Sequence, residues 1–286
     1  MSIAQAALQV LVPYAISDST LVSSSVAEND YAVWSAATVY AVGTRVIRTQ
    51  THRIYERLTA GSSTAAPEDD PENWYDVAAT NRWAMFDQAV GSVTSALTGP
   101  ITVQLNMPGP VNDVVLLGVI GTSVNITMPG ANRTVAVPGS AAALLVEGLA
   151  SPGGTLTLTI SGPGIVGLGT FAAGNFTSLA YVVQGAQAGI TDFSKKGFDA
   201  FGQPEIVRRS YLRRLTLPVS LAAASFDQVV RILSALRSTP VIWRGVPWLQ
   251  STLVYGWPKD WSLKLDTATQ ASGSISLESL ALGLLS

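Results

Sequence analysis

The sequence predicts a mainly β, multidomain protein: a small aromatic β module, a β-sandwich, and a C-terminal α+β domain with one amphipathic helix. Three observations lead there. Residues 31–87 hold three of the seven tryptophans, four of the eight tyrosines and the sole histidine. Between 91 and 180, short runs alternate apolar and polar residues with a period of two, the mark of half-buried strands. Near the C-terminus one run switches to helical spacing. A length of 286 residues also favours two or three domains, because a single core stops growing near ~250 residues.

Residues 1–30 carry a short apolar run, then Ser and Thr, then Glu28 and Asp30. They are expected to form an arm or linker whose apolar half must be covered by this chain or a neighbour. The aromatic module is expected over 31–90, with a strand at 38–47 turning at Gly43, a second strand at 53–58, and an acidic, proline-containing loop at 61–73. The sandwich is expected over 91–185. Ile101, Val103 and Leu105 alternate with polar residues, as do Val124, Ile126 and Met128, and Leu156, Leu158 and Ile160. The continuous apolar run 114–120 suits a strand covered on both faces. Pro-Gly pairs at 108–110, 129–130, 138–139 and 152–154 mark the turns.

The last segment, 186–286, is expected to be the α+β domain. Leu215, Leu217 and Val219 read as strand. Ser225 and Gln228 have capping-box spacing, and Phe226, Val229, Val230, Leu233 and Leu236 form one helical face that Pro240 ends. Further strands are expected at 241–244, 253–257, 261–266 and 274–280.

Trp34, Tyr40, Gly43, Val46, Tyr55 and Trp74 follow one another in an order that resembles the small carbohydrate-binding module found beside bacterial chitinase domains. With the run TNRWAMFD at 80–87, and with the run from Asp192 through Phe198 and then GQPEIVRRSYLRR downstream, the chain resembles tail-tip or baseplate structural proteins of long-tailed, siphovirus-like bacteriophages. That resemblance implies a jelly-roll-like sandwich, a homo-oligomer, and other phage tail or baseplate proteins as partners. It further implies location in the virion after assembly in the host cytoplasm. Thr44 stands where the module commonly has an acidic residue, and RTQTHR at 48–53 replaces its usual tight glycine turn, which argues against a chitin-type ligand.

Composition points the same way. Charged residues make up 13% and hydrophobic ones 48%, against a usual charged share of about 25%. So little charge suits surfaces that neighbours cover. A net charge of −2 excludes general affinity for nucleic acid. Absence of cysteine excludes disulfides and thiolate metal sites. The N-terminal stretch lacks a basic region and is interrupted by Pro13, which argues against a signal peptide, and no apolar window reaches ~18 residues.

Trp34, Tyr40, Tyr55, Trp74 and Tyr75 are candidates for stacking on sugar rings, although the same positions can build the module's core. His52 is expected to be a solvated turn residue, since a catalytic triad or two-histidine metal site would depend on it alone. Glu68, Asp69, Asp70, Glu72 and Asp76 lack the alternation of a calcium loop and are expected to be solvated or to meet a basic neighbour. No phosphate loop or dinucleotide fingerprint is present, and no cofactor or metal is expected. Arg208, Arg209, Arg213 and Arg214, with Lys195 and Lys196 upstream, form either the wet face of a strand or a docking edge for an acidic partner. Trp248, in a tight loop, is the candidate interface anchor. The expected function is a non-enzymatic structural component of a tail tip or baseplate; the alternative is a glycan-binding receptor or adhesin.

Overall fold

The computed structural model describes residues 6–36, 38–89, 91–139, 143–198 and 201–280. Strands dominate, and among the described residues one α-helix occurs, near the C-terminus. Contacts divide the chain into two compact units: Ala15–Phe171, and a second made of the residues up to Tyr14 together with those from Ala172 onward. This division differs from the four segments expected. Of those segments, residues 1–5 of the arm and 281–286 of the last domain lie outside the described residues.

The largest difference is at the start. Strand β1 (Ala6–Leu11) pairs with strands from 176–182 on one side and 241–244 on the other, so it is no arm. Leu8 and Leu11 are fully buried and Val10 is nearly so. Its alternating apolar residues gain burial and two ladders of backbone bonds, which an extended arm would leave to water.

In the unit Ala15–Phe171, β2 (Leu21–Ser24) is followed by the aromatic module, β3 (Arg45–Arg48), β4 (Arg53–Arg57) and β5 (Trp74–Ala79). The module is a sheet in the order β3-β4-β5. Residues 38–41, expected as strand, contribute only a bridge from Tyr40 to Gly61. Beyond it run β6 (Thr94–Ala96), β7 (Ile101–Met107), β8 (Asp113–Leu117), β9 (Ser123–Met128), β10 (Ala131–Ala136), β11 (Ala143–Val146), β12 (Gly154–Ser161), β13 (Val166–Leu168) and β14 (Thr170–Gly174), within which the chain passes to the other unit. A five-stranded sheet runs β10-β9-β12-β7-β2. The alternating residues of β7, β9 and β12 point one face inward, with Ile101, Leu105, Ile126, Leu156, Leu158 and Ile160 fully buried. In β8, Val114, Val115 and Leu116 are buried consecutively, so that strand is covered on both faces as its sequence predicts.

Residues 15–30 belong to this unit rather than forming a free linker. Their strand β2 extends the five-stranded sheet by pairing with β7.

The other unit is built on a closed barrel. From β15 (Phe176–Val182) the chain passes through β16 (Gln187–Asp192), β17 (Lys195–Phe198) and β18 (Pro204–Val207) into the twelve-residue β19 (Tyr211–Ala222). Helix α1 (Phe226–Ala235), β20 (Val241–Arg244), β21 (Leu253–Leu265) and β22 (Gln270–Ser279) complete it. Strand order is β15-β1-β20-β21-β22-β19, and pairing of β15 with β19 closes the ring. The core gathers Leu8, Val10, Leu217, Val219, Val241, Trp243 and Ile275, and Val229 and Leu233 of the helix pack into it. At Gly256, any Cβ would collide with the backbone carbonyl of Glu278, so β21 and β22 approach that closely only because the residue is glycine.

Two local expectations change here. The strands expected at 253–257 and 261–266 are one strand, β21, with an irregularity between Pro258 and Asp260, where a residue lacking an N–H is tolerated in a ladder. The capping box does not form. Ser225 already has helical backbone angles (φ −92, ψ −3) at the end of a 3-10 turn, so its side chain makes no cap hydrogen bond. At the other end Arg237 donates to the carbonyl of Ser234 at 2.9 Å, as the helix dipole favours.

Candidate functional site

The aromatic module buries most of the residues that sugar stacking would need. Tyr40, Val46, Tyr55 and Trp74 form its core, with Trp34 packed against them. Tyr40 meets Trp74 edge-on at 5.2 Å. Two guanidinium groups close over the indoles, Arg48 over Trp34 and Arg57 over Trp74, each 4.9 Å from the ring. Such cation–π pairs are worth roughly 0.5–2 kcal/mol, more when desolvated. Arg57, 3% exposed, donates to the carbonyl of Thr59 at 2.6 Å and lies 4.0 Å from Asp70. Arg48 grips Glu68 through Nη2 at 2.7 Å and through Nε. That fork holds the Glu68 carboxyl below the usual carboxylate range.

Of the five sugar-binding candidates, Tyr40, Tyr55 and Trp74 therefore have no free ring face, Trp34 is half-buried beneath Arg48, and Tyr75 is exposed. The acidic loop is not simply solvated either. Asp76 pairs with Arg53 at 2.8 Å, and Asp70 accepts hydrogen bonds from Ser63 and Asn73.

His52 departs most from expectation. It adopts φ 56, lies half-buried, and stacks on Trp83 with ring centroids 3.9 Å apart and 18° between planes. Nδ1 is 3.0 Å from Glu28 Oε1, and Nε2 is 3.1 Å from Asp18 Oδ1. Glu28 also accepts from the hydroxyl of Thr80 at 3.0 Å, and Asp30 accepts from the backbone N–H of Asn81. The three acids of the expected linker, Asp18, Glu28 and Asp30, thus clamp the module's turn and the TNRW run together. The signals were a lone histidine and three acids, Asp18, Glu28 and Asp30, in a stretch without basic residues.

In the barrel unit, among the described residues, β16 pairs with β19 alone, and β17 with β18 alone. Every described residue of these three short strands is exposed or half-exposed. Ile190, Phe193, Phe198, Phe201 and Ile206 are 57%, 45%, 77%, 89% and 62% exposed. Arg208, Arg209 and Arg214 are exposed beside them and Arg213 is half-buried. Ser194 and Lys196 hold the Asp192 carboxyl down at about 2. Trp248 is 60% exposed on a loop pinned by the buried hydroxyl of Thr252, which bonds Val246 N, Val246 O and Leu249 O at 2.7–2.9 Å.

No protein-family model matches this chain, and no curated protein matches it. Among solved structures it is similar to chitosan-binding module 1 derived from a chitosanase/glucanase of Paenibacillus sp. IK-5, at 16% identity, over 32% of this chain and 83% of that one, with a TM-score of 0.28. A likeness of that degree carries no statement about binding.

Among the described residues no helix is long and apolar enough to cross a membrane.

Proposed function

We propose that this chain is a non-enzymatic structural component of a bacteriophage tail tip or baseplate, located in the virion, that assembles with copies of itself and with other tail proteins. The observation that carries the assembly half of this reading is the ribbon of β16, β17 and β18. A two-stranded hairpin alone is marginal in water, and this one exposes Phe198, Phe201 and Ile206 together with unpaired strand edges. Exposed apolar edges of this kind are templates for further pairing. A protomer that uses them in assembly satisfies both the backbone groups and the apolar area. Residues 187–214 carry six basic and three acidic side chains, which favours an acidic surface opposite. The pinned loop presenting Trp248 offers a second, preorganised anchor.

The phage assignment rests on the TNRWAMFD run and its downstream companions in the sequence. Mass spectrometry of purified particles tests it. The protein is expected at a fixed copy number per particle, with Lys195, Lys196 and Arg208–Arg214 protected from labelling; its absence from intact particles would contradict the assignment.

A further inference from the structure

Arginines in the module and arginines in the ribbon differ in what they meet. Arg45, Arg48, Arg53 and Arg57 each reach a carboxylate of the module, from Glu56, Glu68, Asp76 and Asp70 in turn. Among the described residues, Arg208, Arg209, Arg213 and Arg214 reach none. Two acids of the same unit are already engaged: Asp192 holds Lys196 at 3.1 Å, and Glu278, paired across the ladder with Arg214, holds Lys259 at 2.7 Å. Strand β16 ends its sheet; one edge lies on β19 and, among the described residues, the other pairs with nothing. Its sequence QAGITD has neither the lysine nor the proline that blunts such edges. It is anchored all the same, because β19 runs on into the barrel core, where Leu215, opposite Ala188, is 2% exposed. Directly opposed residues share a sheet face, so Gly189 lies on one face with Arg214 and Ile190 on the other with Arg213. A Cβ at Gly189 would meet nothing within 4 Å. No side chain at that position stands between Arg214 and the open edge.

We propose that the open edge of β16 takes up an extended segment of a partner protein in which acidic side chains alternate with apolar ones. The edge supplies backbone donors and acceptors along its six residues, a length of about 20 Å. Side chains then select the segment. On one face, the residue opposite Gly189 meets Arg214 across the glycine, and a carboxylate there forms the charge-assisted fork that a guanidinium favours. Its neighbours in sequence point to the other face, where an apolar side chain covers Ile190, 57% exposed in the single chain. Arg208 and Arg209 add to the positive field that steers an acidic segment in. Nucleic acid fits this edge less well, because a phosphate backbone has no amide groups to continue a ladder and nothing to cover Ile190. This inference rests on the assembly reading and names the chemistry of one partner. It does not use Phe198 or Ile206, the side chains on which self-assembly is tested.

Short labelled peptides titrated against the full chain test it: one with Glu and Val alternating, others with Gln or Lys in place of Glu, and one with proline in place of Val. The Glu peptide is expected to bind about tenfold more tightly than the Gln peptide, and the Lys and proline peptides are expected not to bind. Amide hydrogen exchange at 187–192 should slow in the bound chain, which ionic attraction alone would not produce. Arg214→Gln should remove the preference for Glu over Gln. Gly189→Glu should weaken uptake of the Glu peptide about tenfold, since it sets the chain's own carboxylate beside Arg214. The open space at that position keeps this variant folded, as cooperative unfolding checks. The Phe198→Ser/Ile206→Ser chain should bind the Glu peptide as the parent does, so strand uptake and self-assembly can each fail alone. The proposal is overturned if the Glu peptide does not bind, if the Lys peptide binds equally, if a single-stranded oligonucleotide binds more tightly, or if the Phe198→Ser/Ile206→Ser chain loses the peptide.

Discussion

Strand β19 belongs to two regions at once, and they differ sharply. Along its second half, Leu215, Leu217, Val219 and Leu221 alternate inward and are at most 4% exposed, because β15, β22 and the helix-backed barrel core cover them. Its first half pairs with β16 and leads back to the ribbon, where Ile190, Phe198 and Ile206 are more than half exposed. The same ladder thus carries apolar side chains both in a finished core and onto an open surface. Burial in the barrel is a property of this chain alone. In the ribbon, on the proposed reading, it comes from a neighbour.

The contrast sets the size of the effects expected on substitution. Trp243 is fully buried and donates its indole N–H to the Gly256 carbonyl at 3.1 Å. Trp243→Ala should therefore destabilise the barrel unit by about 3–5 kcal/mol in denaturant unfolding. Gly256→Ala should also destabilise it, by about 1–3 kcal/mol, because the added methyl strikes β22 backbone. In the module, His52→Leu strands the nearly buried Glu28 carboxylate, 9% exposed, and should lower stability by about 1–3 kcal/mol. A double-mutant cycle with Glu28→Gln should recover part of that loss if the two side chains are coupled as their distance indicates.

A smaller effect is expected from pH. The folded-state carboxyl of Glu68 is lowered from its ordinary value of 4.5, first by its hydrogen bonds to Arg48. Its contribution is then complete above that value and is lost as pH falls through the lowered folded value. Unfolding measured down an acid series should show this loss, about 1 kcal/mol, in the parent chain, and Arg48→Gln should remove it. Smallest of all should be the effect of ribbon substitutions on folding itself. In the dissociated chain, Phe198→Ser and Ile206→Ser should change unfolding free energy by less than ~0.5 kcal/mol, since both side chains are exposed in the single chain. A larger change would mean that the ribbon is packed within the single chain.

Much of the fold was legible because strand patterning is local. The alternation in β7, β9 and β12, the unbroken run in β8 and the helical spacing of α1 each state their own burial. What the sequence hid was non-local. Strand β1 lies beside partners more than 160 residues away, so its six alternating residues read as an arm. The bulge that lets Pro258 stay inside β21 cannot be told from a strand end without the partner strand. For the candidate site, the tryptophans and tyrosines marked the right module, but residue type does not say which ring faces outward. Tyr40, Tyr55 and Trp74 became core, while Tyr31 and Tyr75 remained outside through registers visible only once the strands pair. From sequence His52 reads as a solvated turn residue because its two acidic partners and its stacking ring come from separate stretches of the chain.

Sedimentation velocity of the intact chain, against a Phe198→Ser/Ile206→Ser double variant, tests most directly whether the ribbon is completed by another copy. The parent chain should sediment as an oligomer whose mass rises with concentration, and the variant as the 29.9 kDa single chain that still unfolds cooperatively. A parent chain that stays at 29.9 kDa across the accessible concentrations, or a variant that assembles as well as the parent, would contradict the account.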